Sequence, residues 1–137
     1  MITSLDHIAI AVPDMEKAIN RFMNDFGITF NGTEDVERAK TSTAFFPIAG
    51  TQLELIHPIR QGEGPVAKYL ANKGGGLHHL CFSTDDILGD VEMLKAKGYS
   101  FLSEQPSSGA HGCQVIFIHP KSCDGVLIEL SQPPADH

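Results

Sequence analysis

Two stretches of the chain repeat one pattern: LDHIAIAVPDMEKAINRFMNDFGITF from Leu5 to Phe30, and LHHLCFSTDDILGDVEMLKAKGYSFL from Leu77 to Leu102. His7 of the first copy falls on His79 of the second. Self-similarity within a chain is typical of duplicated structural units. The repeat therefore predicts two modules of the same fold.

Each copy begins as a short alternating strand and continues as an amphipathic helix. Asp14 and Asp86 stand where a helix N-cap is expected, and Gly27 and Gly98 stand where each helix should end. The apolar residues recur at helical spacing, namely Met15, Ile19, Phe22, Met23 and Phe26 in the first copy and Ile87, Val91 and Leu94 in the second.

Further strands follow each helix. TSTAFFPIAGTQLELIHP, residues 41–58, resembles CQVIFIHPKSCDGVLIELSQP, residues 113–133, and each reads as two strands around a glycine-containing turn. Glu54 of the first segment therefore corresponds to Glu129 of the second. Between the halves, PVAKYLAN at residues 65–72 predicts a short helix with proline in its first turn.

The alternation of side chains along a strand sorts the histidines and glutamates by face. Two sets of small or polar residues share a face, namely His7, Ala9 and Ala11 in the first copy and His79, Cys81 and Ser83 in the second. The bulky residues on the opposite faces are expected to pack on the helices, and His78 lies with them. The small-residue faces, together with Glu54 and Glu129, are then left to line a cavity.

Four inward polar groups would be costly to bury without a shared partner, and a divalent metal ion would satisfy His7, Glu54, His79 and Glu129 together. Each residue alone has a plainer interpretation. A strand histidine is more often a hydrogen-bonded structural residue, and a glutamate between leucines can face solvent from an edge strand. The repeat-equivalent positions favour the metal site.

The sequence resembles the vicinal oxygen chelate superfamily, and within it most closely the methylmalonyl-CoA epimerase family. The segments that carry the resemblance are LDHIAIAVPD, LELIHP, GGGLHHLCFSTDDI, GAHG and VIFIHPKSCDGVLIEL, in that order over nearly the whole chain. The resemblance implies an α+β fold in which two tandem βαβββ modules form a curled mixed sheet around a metal-containing cavity. It implies a single domain over residues 1–137, with module one at about 1–60, a linker helix at about 61–75 and module two at about 76–133.

The resemblance also implies the chemistry. The expected reaction is metal-dependent epimerisation of methylmalonyl-CoA, by proton abstraction at C2 through a metal-stabilised enolate. The expected cofactor is one divalent ion per chain, held by His7, Glu54, His79 and Glu129. Cobalt is favoured by resemblance, and zinc, nickel, manganese or magnesium is compatible with the ligands.

Epimerisation needs two acid/base groups, and the resemblance makes Glu129 one of them. Some relatives carry a second glutamate on the strand before the first metal-binding glutamate, but Thr43 aligns there and has no useful pKa. Glu37 and Lys40 are nearby in sequence and would need a register shift. The hypothesis is that Glu54, the repeat mate of Glu129, is the second catalytic residue.

The acyl-CoA substrate is expected to meet Lys121, His111, Gln114 and Thr43. Lys121 could contact an anionic part of the ligand, and His111 and Gln114 could hydrogen-bond the thioester or carboxylate. The plainer interpretation is that a loop lysine is solvated and that glycine-rich loops contain such residues for turn geometry.

The formal net charge of −7 disfavours nucleic acid as a partner, because phosphate binding needs a basic surface. No apolar run approaches the roughly 20 residues of a membrane span, so no membrane association is expected. No secretory signal is expected, because no basic region precedes an apolar stretch near Met1, and the three widely spaced cysteines favour a reducing cytoplasm. A homodimer is also expected, supported by few surface cations and by apolar residues such as Phe45 and Phe46, which are expected to be exposed.

Two other functions fit the same ligand set. A glyoxalase I, or lactoylglutathione lyase, acting on a glutathione hemithioacetal would use ligands in the same order. A non-catalytic protein that binds a metal or a small ligand is the second alternative. The GGGLHH and HPKSCDG segments favour the epimerase.

Overall fold

The computed structural model describes residues 1–135, which form eight strands and three α-helices. The last two residues of the predicted domain lie outside the described residues. The strands are β1 (Ile2–Ala11), β2 (Thr33–Val36), β3 (Thr41–Ile48), β4 (Thr51–Pro58), β5 (Gly76–Thr84), β6 (Ser107–Ser108), β7 (Gln114–Ile118) and β8 (Ile128–Gln132). The helices are α1 (Met15–Asn20), α2 (Pro65–Lys73) and α3 (Ile87–Ala96). No helix among these residues has both the length and the apolar character that a membrane span requires.

The chain divides into two compact units. The N-terminal unit is His7–His78, and the C-terminal unit combines Met1–Asp6 with the chain from His79 onward. The predicted modules differ from these units, because residues 1–6 belong with the second unit, whereas α2 and residues 76–78 belong with the first. The single domain over residues 1–137 stays a prediction.

The sheet of the N-terminal unit has the strand order β2-β3-β4-β1, with β1 parallel to β4 and the other pairs antiparallel. Helix α1 covers one face, as the bulky residues predict. The core there contains Val12, Ala18, Ala44, Phe46 and Leu55, with Ile10, Met15, Ile19, Phe22 and Leu53 packed against them. On the other face, α2 packs through Val66, Tyr69 and Leu70 against Ala9, Ala11 and Ile56.

The C-terminal unit repeats this plan. Its strand order is β5-β8-β7-β6, and β5 is parallel to β8. Helix α3 packs on one face, in a core of Ile87, Val91, Ile116, Ile118 and Leu130 with Phe82, Leu94, Phe101 and Ile128 against it. The α+β class and the mixed sheet of two βαβββ modules are therefore confirmed.

The first predicted helix is shorter and less regular than its apolar pattern indicated. The α-helical part ends at Asn20, and residues Arg21–Asp25 form a π-helical segment. A π turn holds more residues than an α turn, so the apolar positions beyond it rotate away from the expected face. Phe22 still packs in the core, whereas Met23 is 39 % exposed and Phe26 is 61 % exposed.

Aspartate N-caps begin both repeat-equivalent helices, as predicted. The carboxylate of Asp14 accepts a hydrogen bond from the Lys17 backbone N–H at 3.0 Å. The carboxylate of Asp86 accepts one from the Gly89 backbone N–H, also at 3.0 Å. Each cap satisfies a backbone donor that has no partner inside its helix. The helix predicted at residues 65–72 is confirmed as α2, and Gly74 ends it at a φ of 75°.

Replacing Asp86 with alanine should lower the free energy of unfolding by about 1 kcal/mol, because the first turn of α3 loses its cap. Urea unfolding followed by circular dichroism measures this. Asp86→Asn is the matched control, since asparagine also caps helices, and it should recover most of the loss. Equal loss in both variants would show that the cap does not account for the effect.

Candidate metal centre

In the N-terminal unit, a buried histidine lies against a buried glutamate. Nδ1 of His7 is 3.1 Å from Oε2 of Glu54, and the two residues are 7 % and 8 % exposed. The parallel pairing of β1 with β4 sets Ala9 opposite Glu54. His7 is two residues before Ala9 and therefore shares its face with Glu54, away from α1.

The C-terminal unit contains the equivalent pair. Nε2 of His79 is 2.9 Å from Oε1 of Glu129, and these residues are 9 % and 7 % exposed. The parallel pairing of β5 with β8 sets Cys81 opposite Glu129. Cys81 is fully buried beside the carboxylate, and His79 again lies two residues before this small neighbour.

The neighbouring antiparallel strand adds a phenylalanine to each pair. Phe45 of β3 is directly opposite Glu54, and Phe117 of β7 is directly opposite Glu129. The expectation that Phe45 and Phe46 are exposed is wrong, because they are 3 % and 0 % exposed. No pattern in the sequence indicated that Phe117 lies beside Glu129. Phe45 precedes its glutamate by nine positions and Phe117 by twelve, because the two turns differ in length. The equivalence becomes visible only through the strand register.

His78, which precedes His79 in β5, has a different role, as the alternation of side chains along the strand predicts. The His78 ring meets the Tyr69 ring of α2 edge to face, with the centroids 4.9 Å apart. The Tyr69 hydroxyl donates a hydrogen bond to the Leu77 carbonyl at 2.7 Å. His78 therefore contributes to the packing between α2 and the start of β5.

The donor atoms of both pairs fit a divalent metal ion. Two ligand atoms that are each about 2.1 Å from one ion, at right angles to one another, are about 3.0 Å apart. The nitrogen–oxygen distances of 3.1 and 2.9 Å agree with this separation. Imidazole and carboxylate are ligands for cobalt, nickel, manganese and zinc.

Three predicted substrate contacts take distinct positions. Thr43 of β3 is buried and pairs with Ile56, so it lies on the same face as Phe45 and Glu54. His111 is exposed in a short turn at a φ of 58°. Lys121 is exposed in the turn Pro120–Ser122, which follows β7.

Gln114 lies on the opposite face of its sheet from Glu129. It pairs with Gln132 and shares its side of β7 with Ile116 and Ile118, which pack in the α3 core. Gln114 lines a groove with Asp86 and other residues near the start of α3. The expectation that it reaches the thioester or carboxylate beside Glu129 is therefore corrected, because strand alternation directs its side chain away from that carboxylate.

Glu37, which the sequence placed near the second acid/base position, begins the 3₁₀ turn that leads into β3. Its carboxylate accepts hydrogen bonds from Nη1 of Arg60 at 3.1 Å and from Nη2 at 3.4 Å. This carboxylate holds the pKa of Arg60 above its ordinary value. Glu37 is largely exposed, in contrast to the buried Glu54.

Comparison with known proteins finds relatives that are named as epimerases of acyl-CoA thioesters. The profile of the Glyoxalase/Bleomycin resistance protein/Dioxygenase superfamily matches residues 6–117. The mitochondrial methylmalonyl-CoA epimerase of Homo sapiens is 43 % identical over 93 % of this chain and 73 % of its own length. The ethylmalonyl-CoA/methylmalonyl-CoA epimerase of Cereibacter sphaeroides is 40 % identical over 96 % of this chain and 99 % of its own length.

A solved structure agrees with these relatives. A variant of Streptomyces coelicolor methylmalonyl-CoA epimerase, in complex with 2-nitronate-propionyl-CoA, superposes with a TM-score of 0.92 at 33 % identity. The match covers 98 % of this chain and 100 % of that chain. Both the sequence and the arrangement of the strands thus agree with one enzyme family. This chain belongs to the methylmalonyl-CoA epimerase family within the Glyoxalase/Bleomycin resistance protein/Dioxygenase superfamily.

Proposed function

We propose that this chain epimerises methylmalonyl-CoA at C2, with one divalent metal ion held by His7, Glu54, His79 and Glu129. The observation that carries the proposal is the same buried histidine–glutamate pair in both units, in a chain 43 % identical to the human epimerase. The proposal requires the two units to act as one domain. The homodimer and the cytoplasmic location expected from the sequence remain predictions.

The four ligands would give the ion two imidazole nitrogens and two carboxylate oxygens. The parallel strand pairs support this role, because they fix each histidine beside its glutamate on the face away from the core helix. A bound divalent ion would stabilise the negative charge that develops on the thioester oxygen as C2 loses its proton. The burial of the pairs would strengthen such stabilisation, since water screens charges less in a buried site.

Epimerisation removes a proton from one face of C2 and returns a proton to the other face, so two acid/base groups must flank this carbon. We assign one transfer to the carboxylate of Glu129, which lies on the face of β8 away from α3, with Cys81 and Phe117 as its neighbours on the adjacent strands. For the second transfer we retain Glu54, which holds the equivalent place in the N-terminal unit. Glu37 is the competing group, because it is accessible and lies in the turn before β3.

The CoA part of the substrate carries phosphates and would need cations. Lys121 lies at a shallow, open surface cleft of about 490 Å³, which is also lined by Lys97, Gly98, Tyr99, Ser100 and Ser122. Two lysines and two serines in one cleft can bind a phosphate by charge and hydrogen bonding. This cleft supports the proposed contact between Lys121 and an anionic part of the ligand.

The direct test of the reaction is deuterium incorporation at C2 of methylmalonyl-CoA in D₂O. We expect exchange with the cobalt-loaded chain and none above the enzyme-free blank after metal removal. Glu129→Ala should lower the exchange rate by about 10²-fold or more, which is the usual contribution of a positioned acid/base group. Mass spectrometry of the recovered thioester measures the exchange.

The absence of exchange in the cobalt-loaded wild-type chain would contradict the proposal. The glutathione hemithioacetal of methylglyoxal would then be the next substrate to test, since glyoxalase I fits the same ligands. Tight metal binding without any exchange of an activated C–H proton would favour the non-catalytic alternative.

The second acid/base group is tested by Glu54→Gln, with Glu37→Gln as the matched variant. If Glu54 transfers a proton, Glu54→Gln should retain one metal ion per chain and lose turnover by about 10²-fold in at least one direction. Glu37→Gln should stay active because it only weakens an exposed ion pair with Arg60. Metal content and turnover in each direction are measured on both variants. Full activity of Glu54→Gln, with loss in Glu37→Gln, would assign the role to Glu37 instead.

A further inference from the structure

A direct aromatic contact joins β7 to the histidine of the C-terminal pair. The rings of Phe117 and His79 meet edge to face, with their centroids 5.3 Å apart and their planes at 90°. Phe117 is also directly opposite Glu129 across the β7–β8 ladder. One phenylalanine therefore lies beside both members of the His79–Glu129 pair.

The N-terminal unit places a phenylalanine at the equivalent position. Phe45 is directly opposite Glu54, and it is 3 % exposed. Its neighbour Phe46 points to the other face and packs in the α1 core. The two adjacent phenylalanines thus have different roles, and it is Phe45 that lies on the face of the His7–Glu54 pair.

We propose that Phe117 and Phe45 are positioning residues that hold the histidine–glutamate pairs in the geometry for metal binding. This inference rests on the proposed metal site. An edge-to-face contact restricts the orientation of an imidazole ring, because the ring loses this contact when it rotates. A phenyl group opposite the carboxylate also keeps water from that side of the glutamate. Groups that orient metal ligands in this way tune the affinity of the site.

Phe117 is not part of the core beneath α3. Ile116 and Ile118, its neighbours in β7, pack with Ile87 and Val91 on the α3 face. Phe117 lies on the other face and remains half-buried. Shortening its side chain should therefore leave the α3 core intact and act on His79 and Glu129.

The test is the binding of Co²⁺ to the full chain, followed by the visible absorption of the bound ion. Phe117→Leu should raise the Kd for Co²⁺ about 10-fold or more and change the absorption spectrum, as expected when a group that orients metal ligands is lost. Phe101→Leu is the matched control because Phe101 packs in the α3 core of the same unit. It should lower thermal stability and leave the affinity and the spectrum unchanged.

Phe45→Leu, measured in the same way, tests the N-terminal pair and serves as the second variant if Phe117→Leu does not fold. Wild-type affinity and spectrum in a folded variant would overturn this inference and leave the metal site intact. A wild-type chain that binds no Co²⁺ would overturn the proposed metal site, and this inference with it.

Discussion

The parallel pairing of β1 with β4, and of β5 with β8, is the constraint on which the candidate site depends. This register sets Ala9 opposite Glu54 and Cys81 opposite Glu129. A slip of one residue would turn every side chain of a strand to the other face, so both histidines would move into the helix-packed core. The cores beneath α1 and α3 oppose such a slip, because they bury the alternate residues of the same strands. The packing of the hydrophobic faces therefore fixes the positions of the chemical groups.

Small side chains next to the glutamates make the polar faces possible. Ala9 and Cys81 are fully buried and leave room beside the carboxylates. Burying a carboxylate costs free energy unless a charge or hydrogen-bond donor compensates it. The histidine beside each glutamate provides one such partner, and a divalent ion would provide a stronger one. Helix α2 covers the small-residue face of the N-terminal unit near Ala11 and Ile56.

The duplicated fold was predictable because the internal repeat and the family resemblance indicate it, and because the sequence signals of its individual elements are local. The N-caps at Asp14 and Asp86, the helix at Pro65 and the sorting of His78 from His79 each follow from neighbouring residues and strand alternation. The ligand set and its catalytic roles stay predictions.

Pairing between strands distant in sequence could not be predicted from local patterns. The phenylalanines opposite the glutamates were missed for this reason, and the incorrect placement of Gln114 arose because its face depends on the register with β8. The π-helical segment after Asn20 could not be predicted either, because the spacing of the apolar residues there is that of an ordinary α-helix.

The proposed metal site requires the two histidine–glutamate pairs to bind one ion together. X-ray absorption at the cobalt edge, combined with metal analysis, tests this on the wild-type chain and on the His7→Ala and His79→Ala variants. We expect one cobalt per wild-type chain with two imidazole ligands, and the loss of one imidazole from the coordination sphere in each variant. Two cobalt ions per chain, or an unchanged coordination sphere in either variant, would contradict the proposed site.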